Sequence, residues 1–104
     1  RFTPTVAGKY FVYGSSKIQC DSSLTMALIR ILIYKNGSLW KQSTFDPADN
    51  QANSLNLYVN GILDMNGTTD YVELYGLLNA TGGNTWRFDA DTKGTYFGAY
   101  RIGD

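Results

Sequence analysis

The chain has 104 residues, which is enough for one domain and no more. Nine basic and nine acidic residues cancel to a formal net charge of zero, removing the long-range field that draws proteins to nucleic acid or an anionic membrane. There is no histidine, so Ser-His-Asp and Cys-His catalysis and His-ligated zinc or iron are excluded, and a lone Cys20 rules out an intrachain disulfide.

Only 17% of residues are charged, and the polar content is mostly Asn, Thr, Ser and Gly, which suit turns and wet strand faces. Eight Tyr, five Phe and two Trp favour strands and dry interfaces. The longest apolar run, 27–34, is broken by Arg30 and falls far short of the ~20 residues that span a bilayer.

Taken in chain order, the dominant period is two. Residues 24–35 carry apolar groups on both faces, with Leu28, Ile29, Ile31, Leu32 and Ile33 in close succession. A helix of nearly three turns competes here. The β-branched Ile content and the following Asn36-Gly37 hairpin signal favour a strand. Because a sandwich strand normally wets its outer face, two apolar faces predict a further cover from outside. Residues 46–53 have no periodicity and read as a long surface loop. From 55 to 65, the odd positions Leu55, Leu57, Val59, Leu63 and Met65 alternate with Asn56, Asn60 and Asp64, a strand with one buried and one wet face. Asn60-Gly61 interrupts that run and reads as a bulge or kink rather than a turn. Asn66-Gly67 is a turn signal. In 71–78, Val72, Leu74, Gly76 and Leu78 alternate with Tyr71, Glu73 and Tyr75, so the second face is aromatic. Residues 81–85 form a second loop, and Lys93-Gly94 is a turn before the closing segment 96–102. Short strands with this punctuation predict an antiparallel two-sheet β-sandwich or a barrel.

Several motifs, in this order, are similar to a known family. The start, 1–12, resembles the "F-T-x-P/x-V-x-G-x-Y-x-F" stretch of C1q-like globular heads, in the C1q and tumour-necrosis-factor superfamily. Tyr34-Lys35-Asn36-Gly37 resembles its "K-N-G" hairpin, residues 63–74 its "L-x-L-x-x-G-D-x-V-x-L" stretch, and residues 96–102 its closing "F-x-G-x-x-I/L" strand. Each motif is weak alone; their order and spacing along nearly the whole chain carry the resemblance. Pro4 stands where animal members often have Cys, and Thr68-Thr69 lengthens the "G-D" turn. The family's first strands have no counterpart. The resemblance implies an all-β jelly roll over 1–104, a C-terminal part of a longer chain, assembled as a homotrimer. Ile29, Ile31, Tyr71, Tyr75 and Tyr96 are the expected trimer-interface residues. Phe2, Tyr10, Phe97 and Tyr100 are assigned to core or seam.

Few residues carry candidate chemistry. Asp46 and Asp49, with Asn50 and Asn53, offer oxygen ligands for calcium, though without EF-hand spacing; no other cofactor is expected. Trp40 and Trp86 each follow a turn or loop and are the candidate ligand-binding residues, against the plainer reading that both pack in core or seam. The acid pairs Asp70/Glu73 and Asp89/Asp91 meet the minimum for glycoside hydrolysis but read more simply as solvated loop acids, and Cys20 as a plain thiol. Asn36, Asn66 and Asn79 begin glycosylation sequons of the kind chance supplies in an Asn-rich chain. The expected function is non-enzymatic: a virion structural module, such as the head of a phage tail fibre or spike or a capsid decoration. It would serve host attachment or particle stabilisation, with other virion proteins or a host-surface glycan or protein as partners. The alternative is a secreted, extracellular C1q-like ligand or carbohydrate-binding lectin.

Overall fold

A computed structural model describes residues 1–20, 25–46, 54–81, 86–88 and 93–104, with side chains left undescribed at 20, 25–27, 79–81 and 86–88. Seven strands follow in order: β1 (Gly8–Cys20), β2 (Thr25–Lys35), β3 (Ser38–Phe45), β4 (Ser54–Met65), β5 (Val72–Thr81), β6 (Trp86–Phe88) and β7 (Tyr96–Gly103). The helix that competed for 24–33 does not form over the described residues 25–33. β2 pairs with β5 from Thr25 to Lys35 and with β3 from Ile29 to Lys35, so its Ile residues sit between two strands on a pleated, enclosed surface.

The strands make two antiparallel sheets. One holds β3-β2-β5. In the other, β1 is central, with β4 along one side and β7 and β6 sharing the opposite side end to end. The sheets lie face to face, with β3 over β4, β2 over β1 and β5 over β6. The molecule is a slab of 48 × 24 × 19 Å. Its thin dimension matches two sheets stacked about 10 Å apart, with side chains on both outer faces.

The period of two decides what fills the space between them. β1 turns Tyr10, Val12 and Ile18 inward, β4 turns Leu57, Val59, Leu63 and Met65, and the opposite sheet supplies Ile29, Ile31, Ile33, Val72 and Leu78. Phe2, Leu55, Leu74, Phe97 and Ala99 pack against this cluster. Ile29, Ile31 and Ile33 are fully enclosed, and each contributes about 1.5–3 kcal/mol by leaving water. Tyr10 keeps its ring in the core by donating its hydroxyl to the Val6 carbonyl at 2.7 Å.

The turn chemistry is visible in the backbone. Asn36 (φ 52°) and Gly37 (φ 83°) both take left-handed conformations, as a tight β2–β3 hairpin of the primed type requires. Asn60-Gly61 is neither a bulge nor a kink: β4 runs through it in unbroken register with Val12 and Tyr13 of β1. Gly61 is there for clearance. A Cβ at that position would lie 2.6 Å from Cη2 of Trp40, so the strand needs glycine to let the indole approach.

Candidate functional site: two outer faces and an Asn–Asp clasp

Chemistry on the described surface is concentrated on three features. The first is the outer face of the four-stranded sheet. In register across it, Phe11 is flanked by Ile62 and Tyr100, Tyr13 by Asn60 and Gly98, and Ser15 by Tyr58 and Tyr96. The rings touch. Phe11 lies 5.9 Å from Tyr13 and 5.5 Å from Tyr100, and Tyr13 lies 6.2 Å from Tyr96 and 6.4 Å from Tyr100. Gly98 permits this: a Cβ there would collide with the Tyr13 hydroxyl. Despite that mutual packing, Tyr58, Ile62 and Tyr100 remain 59%, 58% and 55% exposed. One end of the face is closed by a turn, where the Ser15 hydroxyl donates to the Gly94 carbonyl at 2.8 Å and the Lys17 amide to Thr95 Oγ1. The other end carries the Lys9–Asp64 pair at 2.9 Å.

The second feature is the outer face of the three-stranded sheet, with Arg30, Leu32 and Tyr34 of β2 along its centre line. The Tyr75 ring meets that of Tyr34 in a tilted contact at 4.9 Å between centroids, and Leu39, Tyr75 and Leu77 are exposed.

The third is a clasp at one end of the slab. The Asn36 amide donates from Nδ2 to Asp70 at 2.8 Å and accepts the Tyr71 N–H on Oδ1. Asn66 Oδ1 accepts three backbone N–H groups, from Thr68, Thr69 and Asp70. Asp70 Oδ2 accepts the backbone N–H of Asn66 at 2.9 Å, and Lys35 Nζ stands 3.6 Å away. The Asn36 side-chain donor, then the Asn66 amide and the charge of Lys35, outweigh desolvation and hold the Asp70 carboxyl below its usual range.

This geometry sorts the residues singled out from sequence. Ile29 and Ile31 are fully buried in the core of a single copy. Their place in an interface is corrected, because the side of β2 away from the core carries Arg30, Leu32 and Tyr34, of which Leu32 is itself buried. Tyr75 and Tyr96 are both exposed, at 47% and 44%, but on opposite faces of the slab. Tyr71 lies under the Arg1 guanidinium, 4.0 Å from the ring centroid. Phe2, Tyr10 and Phe97 belong to the core, whereas Tyr100 belongs to the aromatic face. Trp40 packs against the core over Gly61; no sugar-stacking surface is left on its buried side. Trp86 lies in β6, and its side chain is outside the described set, as are Asp49, Asn50, Asn53, Asp89 and Asp91. Asp46 is exposed at the end of β3. Among the described residues no group of three or more acidic or thiol side chains gathers to hold a metal, and no pocket opens.

Asp70 and Glu73 serve as fasteners. Asp70 is committed to the clasp, and Glu73 meets Arg1 at 3.7 Å. Asn36 and Asn66, which begin sequons, have their amide nitrogens engaged, Asn66 Nδ2 by Thr69; Asn79 has no described side chain. Sequence reasoning missed Phe11, Tyr13, Tyr58 and Ile62. The odd-numbered apolar positions of 9–15 and the even-numbered ones of 56–64 were the available signal. Neither alone indicates that the two strands are neighbours. No protein-family model matches this chain, and no curated protein is significantly similar to it.

Proposed function

We propose that this protein is a non-catalytic assembly module: a jelly-roll head of the C1q and tumour-necrosis-factor kind. It forms a homotrimer and acts in a virion as the head of a fibre or spike or as a capsid decoration. Its task is host-surface attachment or particle stabilisation. The observation that carries the reading is the aromatic face of the four-stranded sheet. Phe11, Tyr13, Tyr58, Ile62, Tyr96 and Tyr100 form one contiguous surface. Apolar patches beyond a few hundred Å² are uncommon on monomers and mark contact sites. Rings in mutual contact make a continuous greasy surface, better suited to another protein surface than to isolated sugar rings.

The connectivity supports the jelly-roll part. The chain crosses between the sheets after β1, β3, β4 and β5, and β1 and β4 lie opposite β2 and β3. A cyclic assembly lets every copy cover the same face, with no unsatisfied end. The polar set of Asn, Thr, Ser and Gly and the zero net charge favour the virion setting.

Sedimentation velocity tests the assembly. The wild type is expected at three times the 11.6 kDa protomer mass. Tyr100→Asp, which places a charge at the centre of the face, is expected to sediment as a protomer with unchanged far-UV circular dichroism. A wild type that stays a protomer at every concentration overturns the reading.

A further inference from the structure

The other broad face carries an unexplained group. Arg30 sits at the centre of the three-stranded sheet, flanked in register by Thr44 of β3 and Leu77 of β5. Its Nε is buried and has no hydrogen-bond partner. Among the described residues no ion pair involves it. A guanidinium half-sunk in an apolar surface is costly unless an acceptor reaches it, and a carboxylate is the acceptor that fits its fork. Two rows along the same face, Tyr34 is flanked by Leu39 and Glu73; between these rows, Leu32 is flanked by Gln42 and Tyr75. Glu73 has its own charge only weakly met, by an Arg1 side chain that is 57% exposed and 3.7 Å away.

We propose that this face docks on the same face of a second copy. The two-fold axis would lie in the interface, across the strands, at the level of Leu32. That operation sets the Arg30 row of each copy against the Tyr34–Glu73 row of the other. Arg30 then meets the Glu73 carboxylate and the Tyr34 ring of its neighbour, one as ion pair and the other as cation–π partner. Tyr75, 47% exposed, meets Tyr75 across the axis, beside Leu32, which a single copy already buries. An axis running along the strands would instead oppose Arg30 to Arg30, and like charges in a contact are rejected.

The charge pattern is therefore self-complementary in one orientation and self-repelling in the other. The footprint is nine side chains on three strands, smaller than the roughly 800 Å² per partner of a stable complex. The contact is weak between free protomers and gains strength where copies are already clustered. It is independent of the trimer, because the aromatic face lies on the opposite side of the slab.

The test is a charge swap read by sedimentation equilibrium, in the wild type and in Tyr100→Asp. In Tyr100→Asp, a concentration-dependent dimer is expected. Arg30→Glu or Glu73→Arg alone is expected to weaken it about tenfold or more, and the double variant to restore it. In the wild type, any species larger than the trimer follows the same pattern. Should Tyr100→Asp fail to fold, the wild-type series decides alone. The proposal is overturned if neither background shows a species that answers to the single variants, or if the double variant does not restore it. A foreign carboxylate as the true occupant of Arg30 would give that negative result. Loss of the trimer with a surviving charge-swap dimer would sink only the trimer.

Discussion

Trp40 and Gly61 illustrate what a single residue decides. The indole lies against the core at the margin between β3 and β4, with Cη2 and Cζ2 at 2.6 and 3.1 Å from where a Gly61 Cβ would stand. Gly61→Ala adds one methyl group to a filled space. We expect a loss of about 1–3 kcal/mol in urea denaturation. In a Trp40→Leu background the same change should cost much less, because the clash is with the ring; an equal loss in both backgrounds would show that it is not. The sequence marked Gly61 as unusual inside an alternating run, correctly, but gave the wrong cause. A backbone irregularity and a close approach from another strand produce the same glycine. Trp40 was likewise visible as a candidate ligand anchor or a core or seam residue, and its partners place it against the core.

At the level of elements, the clasp joins the β2–β3 hairpin to the loop between β4 and β5. Asn36 reaches from the hairpin to Asp70 and Tyr71, and Lys35 reaches the Asp64 carbonyl. Asp70 titrates below its ordinary value of 3.8 in the folded protein, first because of the Asn36 donor. The folded pKa being the lower one, the stabilisation is full above the unfolded value and disappears as pH falls through the folded one. Asp70→Asn should therefore be less stable than the wild type near neutral pH. The difference should close below about pH 3.8. A gap that stays constant across an acid titration followed by circular dichroism would remove Asp70 from this role. The elements themselves were largely legible. β2, β4 and the closing strand appear within a residue or so of the predicted 24–35, 55–65 and 96–102, because each has a clear period of two or ends on strong turn chemistry. β5 runs three residues beyond the predicted 71–78, since propensity alone does not say where its partner β2 stops.

For the whole molecule, the question is how much apolar surface one copy leaves uncovered. The core takes one face of each sheet. The remaining faces hold Tyr58, Ile62, Tyr96, Tyr100 and Ile102 on one side and Leu39, Tyr75 and Leu77 on the other. If copies cover the aromatic face, folding and assembly are linked by mass action. The midpoint of thermal unfolding should then rise with protein concentration, and Tyr100→Asp should remove that dependence. A midpoint independent of concentration in the wild type would point to a protomer that is stable with its rings in water.

The sequence alone determined that this chain makes strands, where most of them run, and that His-based chemistry is absent, since these follow from residue type and from a period read along the backbone. It also indicated more apolar surface than one wet sandwich face holds. For β4 the alternation already marked the inner side, but for β1, and for β2 with apolar groups on both faces, the sheets alone settled it. Ile29 and Ile31 went to the core and Arg30 to the outside, because β2 shares its inner face with β1 and β4, strands that adjacent sequence does not specify. The aromatic face arose the same way. Phe11 and Tyr13 become one surface with Tyr58, Ile62, Tyr96 and Tyr100 only when β1 is placed between β4 and β7. Such pairings are long-range, and a local pattern carries no record of its partner.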